Sequence, residues 1–276
     1  GSVVWSLDGI EWFSAHDKYY QLESSNQSEF NLDISQCDDQ IFYIGFKWKN
    51  DGNGSGSNPS FLVDNISIRA FPKFDYNFSY RTDNYEQIIG TIASLDAQNS
   101  ANISLPAGFD FKYDGEDVVA VRANINGWLQ MGTGYTADEA SDNSLTNTSY
   151  NPFLAPLWDD LTSDELTKII HLTEGTAPTR VLTIEWKDVL WGGERQNFQV
   201  KLYESSDVIE FWYGNMNPPT GASASIGINN DGDCMNKIIS ITPNETPSAS
   251  YTSENKEINS VTYLSEGQVY IFNPFD

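Results

Sequence analysis

The sequence contains few of the residues from which catalytic and metal sites are usually built. Two cysteines, Cys37 and Cys234, and two histidines, His16 and His171, occur in 276 residues. Two cysteines are too few for a disulfide framework, and no cysteine or histidine pair has the short spacing of a zinc site. Neither a nucleophile elbow nor a phosphate-binding loop is present. We therefore expect that the protein is not an enzyme, and the sequence leaves open whether the two cysteines pair.

Basic residues are also scarce. Fifteen lysines and arginines stand against 39 aspartates and glutamates, which gives a net charge of −24. Nucleic acids and anionic membrane surfaces repel such a chain, so we expect no nucleic-acid partner. The longest apolar runs are far shorter than a membrane span, which predicts no insertion into a bilayer. A strongly acidic surface instead attracts cations and suits a protein that must stay soluble outside the cell.

The strongest positive signal is the alternation of apolar and polar residues, which is typical of antiparallel strands with one buried face. Residues 198–213 give the clearest hairpin. Its pattern predicts that Leu202 pairs with Ile209 on the inner face and that Lys201 pairs with Glu210 on the outer face. The two faces agree on this register, because the inner pair is apolar and the outer pair is oppositely charged.

Further hairpins follow from the turn residues. Asn126-Gly127 predicts a type I′ turn within residues 118–131, because both residues tolerate positive φ angles. The other predicted turns are Asp114-Gly115 and Glu174-Gly175, and short helical patterns occur only at 136–140 and 163–166.

The strand pattern extends along the chain and is interrupted at Phe71-Pro72-Lys73. Many short strands separated by turns are typical of β-sandwiches. We therefore predict an all-β fold of antiparallel, jelly-roll-like β-sandwiches, two in tandem, at 3–72 and 73–276. The first domain offers only five strand candidates, at 3–7, 19–22, 29–32, 41–48 and 61–70. Five strands are few for a closed sandwich, so this domain is either small or the C-terminal part of a jelly roll truncated at residue 1.

Three segments of the first domain resemble the back half of a known jelly-roll module. They are residues 5–12 (WSLDGIEW), 44–48 (IGFKW) and 62–68 (LVDNISI). They are similar to strand motifs of the MAM-like or cleaved-adhesin modules of secreted bacterial proteins. The front half of that module has no counterpart here, which supports the interpretation of a truncated domain.

The second domain resembles a repeated module of surface-exported proteins of Bacteroidota. The motifs are 126–129 (NGWL), 155–161 (APLWDDL), 175–180 (GTAPTR), 184–187 (IEWK), 198–204 (FQVKLYE) and 209–214 (IEFWYG). The resemblance covers residues 74–232. It implies a secreted or cell-surface location, export of the type IX kind, and an adhesion or substrate-binding setting. It brings no catalytic residues.

Two acidic loops offer the oxygen ligands that Ca²⁺ prefers. The candidate ligands are Asp51, Asn53, Ser55 and Asp64 in the first domain, and Asn229, Asp231 and Asp233 in the second. Each loop has oxygen-bearing residues at alternate positions, as in the first half of an EF-hand loop, but neither has an acid at position twelve. The competing interpretation is an ordinary turn, because Asn, Asp and Gly are the residues that turns use. Calcium is the candidate cofactor.

Two aromatic residues of the 198–213 hairpin are candidate glycan-binding residues. The alternation places Tyr203 and Trp212 on the outer face of this hairpin. Sugars stack on exposed aromatic rings, and sandwiches can bind glycans on one sheet. The competing interpretation is that a second layer covers this face and makes both residues part of a core.

The function favoured by these observations is adhesion or glycan binding by a non-catalytic region of a secreted or cell-surface protein. Its partner would be a glycan or another component of a host or neighbouring-cell surface. A glycosidase needs two carboxylates that flank one bond. The best pair, Asp159-Asp160, is adjacent in an extended segment, so the two side chains point to opposite faces. The alternatives are an accessory region of a secreted hydrolase, whether protease or glycoside hydrolase, and a structural stalk module.

Overall fold

The computed structural model describes residues 2–6, 8–14, 42–47, 76–132, 143–146, 151–219, 221, 223–230, 238–251 and 264–275. The chain divides into two compact units, Gly1–Arg69 and Ala70–Asp276. Within the described residues every regular element is a β-strand, and all pairings are antiparallel. The predicted all-β class is therefore confirmed. The predicted boundary at 71–73 lies outside the described residues.

The first unit contains one three-stranded sheet in the described part of the chain. Its strands are β1 (Ser2–Ser6), β2 (Phe13–Ser14) and β3 (Tyr43–Lys47), in the order β2-β1-β3. The Trp5 ring stacks on Phe13 across β1 and β2, with centroids 4.9 Å apart. The strands predicted at 3–7 and 41–48 are present, whereas those predicted at 19–22, 29–32 and 61–70 lie outside the described residues.

The second unit is a sandwich of two seven-stranded sheets. Sheet I contains β4 (Tyr76–Thr82), β5 (Thr91–Ile92), β12 (Lys168–Glu174), β13 (Val181–Trp191), β14 (Glu194–Tyr203), β15 (Ile209–Tyr213) and β19 (Gln268–Pro274). Sheet II contains β6 (Ser100–Ser104), β9 (Ala120–Asn124), β10 (Trp128–Met131), β11 (Phe153–Trp158), β16 (Ser225–Asn229), β17 (Ile238–Thr242) and β18 (Ser248–Ser250). A small hairpin joins β7 (Lys112–Tyr113) to β8 (Glu116–Asp117).

The strand order refines the predicted jelly-roll-like arrangement. Sheet I runs β4-β19-β15-β14-β13-β12-β5, and sheet II runs β18-β17-β16-β11-β10-β9-β6. Consecutive hairpins therefore stay within one sheet, as in β12 to β15, and the chain changes sheet after β5, β11, β15 and β18. The sandwich itself is confirmed.

The core lies between the two sheets and follows from the alternation in each strand. In the 198–213 hairpin, Leu202 pairs with Ile209 and Lys201 with Glu210, so the predicted register is correct. The inner pair is fully buried. Burial of such a side chain contributes about 2 kcal/mol, and this gain fixes the register because a slip by one residue would expose the whole inner row.

The turn between β9 and β10 differs from the prediction. Trp128 pairs with Asn124, so the loop has three residues, and of these Gly127 alone has a positive φ, of 78°. The predicted type I′ turn at Asn126-Gly127 is therefore wrong, and the loop is a three-residue one with a left-handed glycine. The cause is a close approach: a Cβ on Gly127 would lie 1.8 Å from the carbonyl oxygen of Leu157.

Two other local predictions have clear outcomes. The Asp114-Gly115 turn joins β7 to β8 with both φ angles positive, at 51° and 84°, and is thus the type I′ geometry. The helical pattern at 163–166 is wrong. The segment turns at Glu165-Leu166, and the Asp164 carboxylate accepts the backbone N–H groups of Leu166 and Thr167 at 2.9 and 3.2 Å. The pattern at 136–140 lies outside the described residues.

A crossing segment covers part of the outer face of sheet I. Residues 83–90, here called the strap, connect β4 at one edge of the sheet to β5 at the other edge. The Glu185 carboxylate anchors the strap by accepting the Tyr85 hydroxyl at 2.7 Å and the Ile88 backbone N–H at 3.1 Å. Gln199 Nε2 donates to the Glu86 carbonyl at 2.8 Å. Glu185 and Gln199 are therefore buried although they lie on the outer face.

Candidate functional site

The two predicted ligand residues lie on neighbouring strands of sheet I. Tyr203 ends β14, and Trp212 lies in β15. Both alternate with core residues, so both side chains are on the outer face, as predicted. The face has an additional arginine, Arg81, which comes from β4 beyond β19. These residues, with Lys201 and Glu210, are here called the outer-face cluster.

Glu210 is the centre of the outer-face cluster. Its Oε2 atom accepts hydrogen bonds from the Tyr203 hydroxyl and from Trp212 Nε1, both at 2.6 Å. Arg81 donates to both carboxylate oxygens, with Nη1 at 2.6 Å from Oε1 and Nη2 at 3.2 Å from Oε2. The Glu210 side chain is only 7% exposed. A carboxylate with four donors holds the surrounding side chains in one geometry.

The electrostatics of the cluster follow from this arrangement. Burial alone would raise the pKa of Glu210, but the hydrogen bonds from Arg81, Tyr203 and Trp212 bring it below its ordinary value. Burial, followed by the hydrogen bond to Glu210, raises the pKa of the Tyr203 hydroxyl. The same carboxylate raises the pKa of Arg81. The shifts of Glu210 and Arg81 favour the ion pair, and the shift of Tyr203 keeps its hydroxyl protonated as a donor.

Lys201 does not pair with Glu210, although the two residues are opposite each other. Its Nζ atom lies 3.7 Å from the centroid of the Trp212 ring, and Arg81 Cζ lies 5.0 Å from the same centroid. The guanidinium occupies the carboxylate because its planar fork contacts both oxygens at once. The ammonium makes a cation–π contact instead. The predicted cross-strand register is correct, but the predicted charge pair is replaced by this contact.

Tyr203 and Trp212 therefore differ in accessibility. Trp212 is 8% exposed and has two cations at its ring, whereas Tyr203 is only half buried. Trp212 thus forms part of the floor of the cluster, and Tyr203 offers the accessible ring. Glycan binding at either residue stays a prediction.

An open depression of about 310 Å³ lies at one end of the sandwich. It is lined by Asn99, Ile125, Asn126, Asp160, Leu161, Thr162 and Ser163. The adjacent Asp159 accepts Trp191 Nε1 at 2.8 Å, and Asp160 is exposed. The two neighbouring carboxylates thus have different surroundings, with Asp159 tied to the core and Asp160 at the depression.

Of the seven predicted metal ligands, only Asn229 lies within the described residues. Its side chain is on the outer face of sheet II, where Nδ2 donates to the carbonyl of Leu145, while the buried Oδ1 atom has no hydrogen-bond partner. The next residue, Asn230, donates to the Asp114 carboxylate. Asp51, Asn53, Ser55, Asp64, Asp231 and Asp233 lie outside the described residues. In the part of the chain that the structure describes, no three His, Cys, Asp or Glu residues are grouped as a metal site, and calcium binding stays a prediction.

Sequence analysis missed Arg81 and the role of the strap. The scarcity of basic residues could have drawn attention to Arg81, because each arginine of a strongly acidic chain has many carboxylates with which it can pair. All four arginines in the described ranges are paired: Arg81 with Glu210, Arg122 with Asp96, Arg180 with Glu204, and Arg195 with Asp164. The choice of partner nevertheless depends on strands that are far apart in the sequence.

Comparison with known proteins identifies the sandwich. No curated protein and no solved structure matches the chain. Among the described residues, no helix is long and apolar enough to cross a membrane. A family model described as NIDO related matches residues 75–274, an interval that contains the sandwich from β4 to β19 and more than half of the chain. This domain family is of an extracellular type. The chain therefore belongs to the NIDO-related family.

Proposed function

We propose that this chain is a non-catalytic region of a secreted or cell-surface bacterial protein, and that it acts in adhesion by binding a glycan or another cell-surface component. Membership of an extracellular-type family supports the location. The finer assignments are a MAM-like first unit, an origin in Bacteroidota and export of the type IX kind. They rest on the sequence motifs of residues 3–70 and 74–232.

One observation carries the binding proposal: the half-buried Tyr203 ring is fixed in place before any ligand arrives. Its hydroxyl donates to Glu210 at 2.6 Å, and Glu210 is itself held by Arg81. Tyrosine supplies a large amphipathic contact area at low entropic cost. Because the ring is already ordered, binding does not have to immobilise it, which favours affinity.

A structural stalk module is the second candidate function. The division of the chain into two compact units favours it, because a stalk is built from units in series. A stalk has no ligand of its own. Detection of specific binding therefore separates the two functions.

Calcium is the proposed cofactor. The buried, unpartnered Oδ1 atom of Asn229 supports a cation near this strand end, as does the net charge of −24. Amide oxygens are among the ligands that Ca²⁺ accepts in proteins. A cation would supply the partner that this oxygen lacks.

The binding proposal is tested by screening the purified chain on a glycan array and measuring affinity for any ligand found. We expect Tyr203→Ala to weaken binding about tenfold, the scale of a lost aromatic contact. Tyr80→Ala is the matched control, because Tyr80 is a 46% exposed tyrosine on β4 of the same sheet. Absence of binding, or equal losses in both variants, would overturn the proposal.

A further inference from the structure

Lys201 is a half-buried cation without a carboxylate partner. Each described arginine forms an ion pair, but no carboxylate oxygen of the described residues lies within 4.0 Å of Lys201 Nζ. The nearest candidate, Glu210, already accepts hydrogen bonds from Arg81, Tyr203 and Trp212. The ammonium has the Trp212 ring as its neighbour instead, at 3.7 Å.

This arrangement gives the ammonium no acceptor in direct contact among the described residues, although the more distant carboxylates of Glu210, Glu174 and Asp83 attract it. Burial lowers the pKa of Lys201, which reflects the loss of water around its charged form. A cation–π contact offsets only part of that loss, since it supplies no hydrogen-bond acceptor. An anion from outside would supply one. The site is therefore suited to a ligand with a negative group.

The neighbours of Lys201 define what such a ligand must look like. Tyr203 is two residues further along β14 and on the same face, which places the two side chains about 7 Å apart along the strand. On the other side, Gln199 is covered by the strap. A ligand that contacts the Tyr203 ring therefore places its substituents near Lys201, and the strap limits extension beyond it.

The charges of the site and of the whole chain limit which anionic ligands the site can bind. The outer-face cluster contributes two cations, Arg81 and Lys201, and one anion, Glu210. The guanidinium is already occupied by Glu210 and by Asp83, and the carboxylates of Asp83 and Glu174 also attract Lys201 from beyond 4.0 Å. One free ammonium matches one singly charged group. A net charge of −24 disfavours uniformly charged polyanions, whereas an occasional acidic residue in a glycan meets little long-range repulsion at physiological salt.

We propose that the outer-face cluster binds a uronic acid residue of an acidic glycan, with the sugar ring against Tyr203 and its carboxylate on Lys201 Nζ. This inference rests on the proposed glycan-binding function at the same cluster and assigns its substrate class.

The test compares a uronic-acid oligosaccharide with its carboxyl-reduced, neutral counterpart by calorimetry on the full chain. We expect the unmodified protein to bind the acidic form about fivefold more tightly, the scale of one partly exposed ion pair. Lys201→Met should abolish this preference and retain affinity for the neutral form. Lys187→Met is the matched control, since Lys187 lies in β13 of the same sheet and also has no carboxylate within 4.0 Å in the described chain.

The outcomes separate the two proposals. Equal binding of both sugars, or a preference that survives Lys201→Met, overturns the assignment of a uronic acid and leaves glycan binding standing. Loss of preference in Lys187→Met as well would also overturn it, because the effect would then be general charge. If neither sugar nor any array glycan binds, the proposed function itself fails. Unchanged thermal unfolding of Lys201→Met confirms that a lost preference is not a folding defect.

Discussion

The outer faces of the two sheets carry similar polar residues but satisfy them differently. On sheet I, Glu185 accepts donors from the strap, and Glu210 accepts Arg81, Tyr203 and Trp212. Among the described side chains of this sheet, no buried polar atom lacks a hydrogen-bond partner. The buried polar side-chain atoms of sheet I are thus hydrogen-bonded within the chain itself.

The outer face of sheet II, in contrast, has buried polar atoms that lack a hydrogen-bond partner. Arg122 Nε and Asn229 Oδ1 are both buried without a hydrogen-bond partner. Arg122 is otherwise bound to Asp96 and Asn102, whereas the free atom of Asn229 is an acceptor. An unpartnered buried polar atom is costly, so it points to a bound water or ion. The two outer faces therefore differ in a measurable way: sheet I has an accessible aromatic ring, and sheet II has a buried acceptor without a partner.

The largest expected effect is on sheet II. Calcium at a hundredfold excess over its dissociation constant should raise the free energy of unfolding by about 2.7 kcal/mol. Asn229→Leu removes the unmet acceptor, so it should abolish the calcium response. Asp231→Ala and Asp51→Ala should each reduce it if their loop holds the ion. The measurement is the melting temperature with calcium and with chelator.

Sodium chloride at matched ionic strength is the control for this experiment, since general screening also relieves repulsion among carboxylates. A melting temperature that calcium raises no further than the salt control shows that both acidic loops are ordinary turns. In that case Asn229→Leu should be close to neutral, because removal of the unsatisfied Oδ1 atom offsets the loss of the hydrogen bond from Nδ2 to the Leu145 carbonyl.

A second prediction concerns the ion pair between Arg81 and Glu210 on sheet I. Glu210→Gln should lower the free energy of unfolding by about 2 kcal/mol, because it removes the buried carboxylate that pairs with Arg81 and leaves the guanidinium only the exposed Asp83, at 3.6 Å from Nε. Urea unfolding measures this loss. An Arg81→Met, Glu210→Gln double mutant should recover part of it, and strict additivity of the two single losses would show that the ion pair does not couple them.

A smaller loss of stability is expected when the anchor of the strap is changed. Glu185→Gln should cost about 1 kcal/mol, because its carboxylate accepts neutral donors only, from Tyr85, Ile88 and Gln199. We also expect faster amide exchange within residues 83–90, with little change in the core strands. A loss as large as that of Glu210→Gln, or protection unchanged in the strap, would contradict the role of Glu185 as its anchor.

The smallest expected effect is on the pH dependence of the free energy of unfolding. The Arg180 side chain holds the pKa of Glu204 at about 2, below its ordinary value of 4.5. Because the folded-state pKa is the lower one, the stabilisation is fully present above about pH 4.5 and is lost as the pH falls towards 2. The difference in unfolding free energy between the unmodified protein and Glu204→Gln should therefore shrink over this interval. Glu194→Gln, an exposed change on the same strand, is the control for the loss of one negative charge.

Local patterns predicted the parts of the fold that local interactions determine. The register of the 198–213 hairpin followed from residues within 16 positions of one another, and it is correct. The turn at Asn126-Gly127 was wrong because its geometry depends on Leu157, which approaches from another strand. Tertiary contacts of this kind leave no trace in the turn residues themselves.

For the same reason, the sequence predicted which face holds the candidate site but not how exposed its residues are. Alternation placed Tyr203 and Trp212 on one outer face, but the burial of Trp212 involves Arg81, which lies more than 110 residues earlier in the chain. The same alternation could not distinguish the anchored Glu185 from the paired Glu210. Whether a residue on an outer face is exposed depends on the segments that cross that face, and local alternation does not show these segments.

The most direct test of glycan binding at the outer-face cluster is amide hydrogen exchange of the chain, measured with and without the glycan. We expect protection to rise in the β14–β15 hairpin around Tyr203 and in β4 around Arg81, with the end depression around Asp160 unchanged. Protection confined to that depression, or no change anywhere on sheet I while the glycan is bound, would contradict the assignment of the outer-face cluster as the binding site.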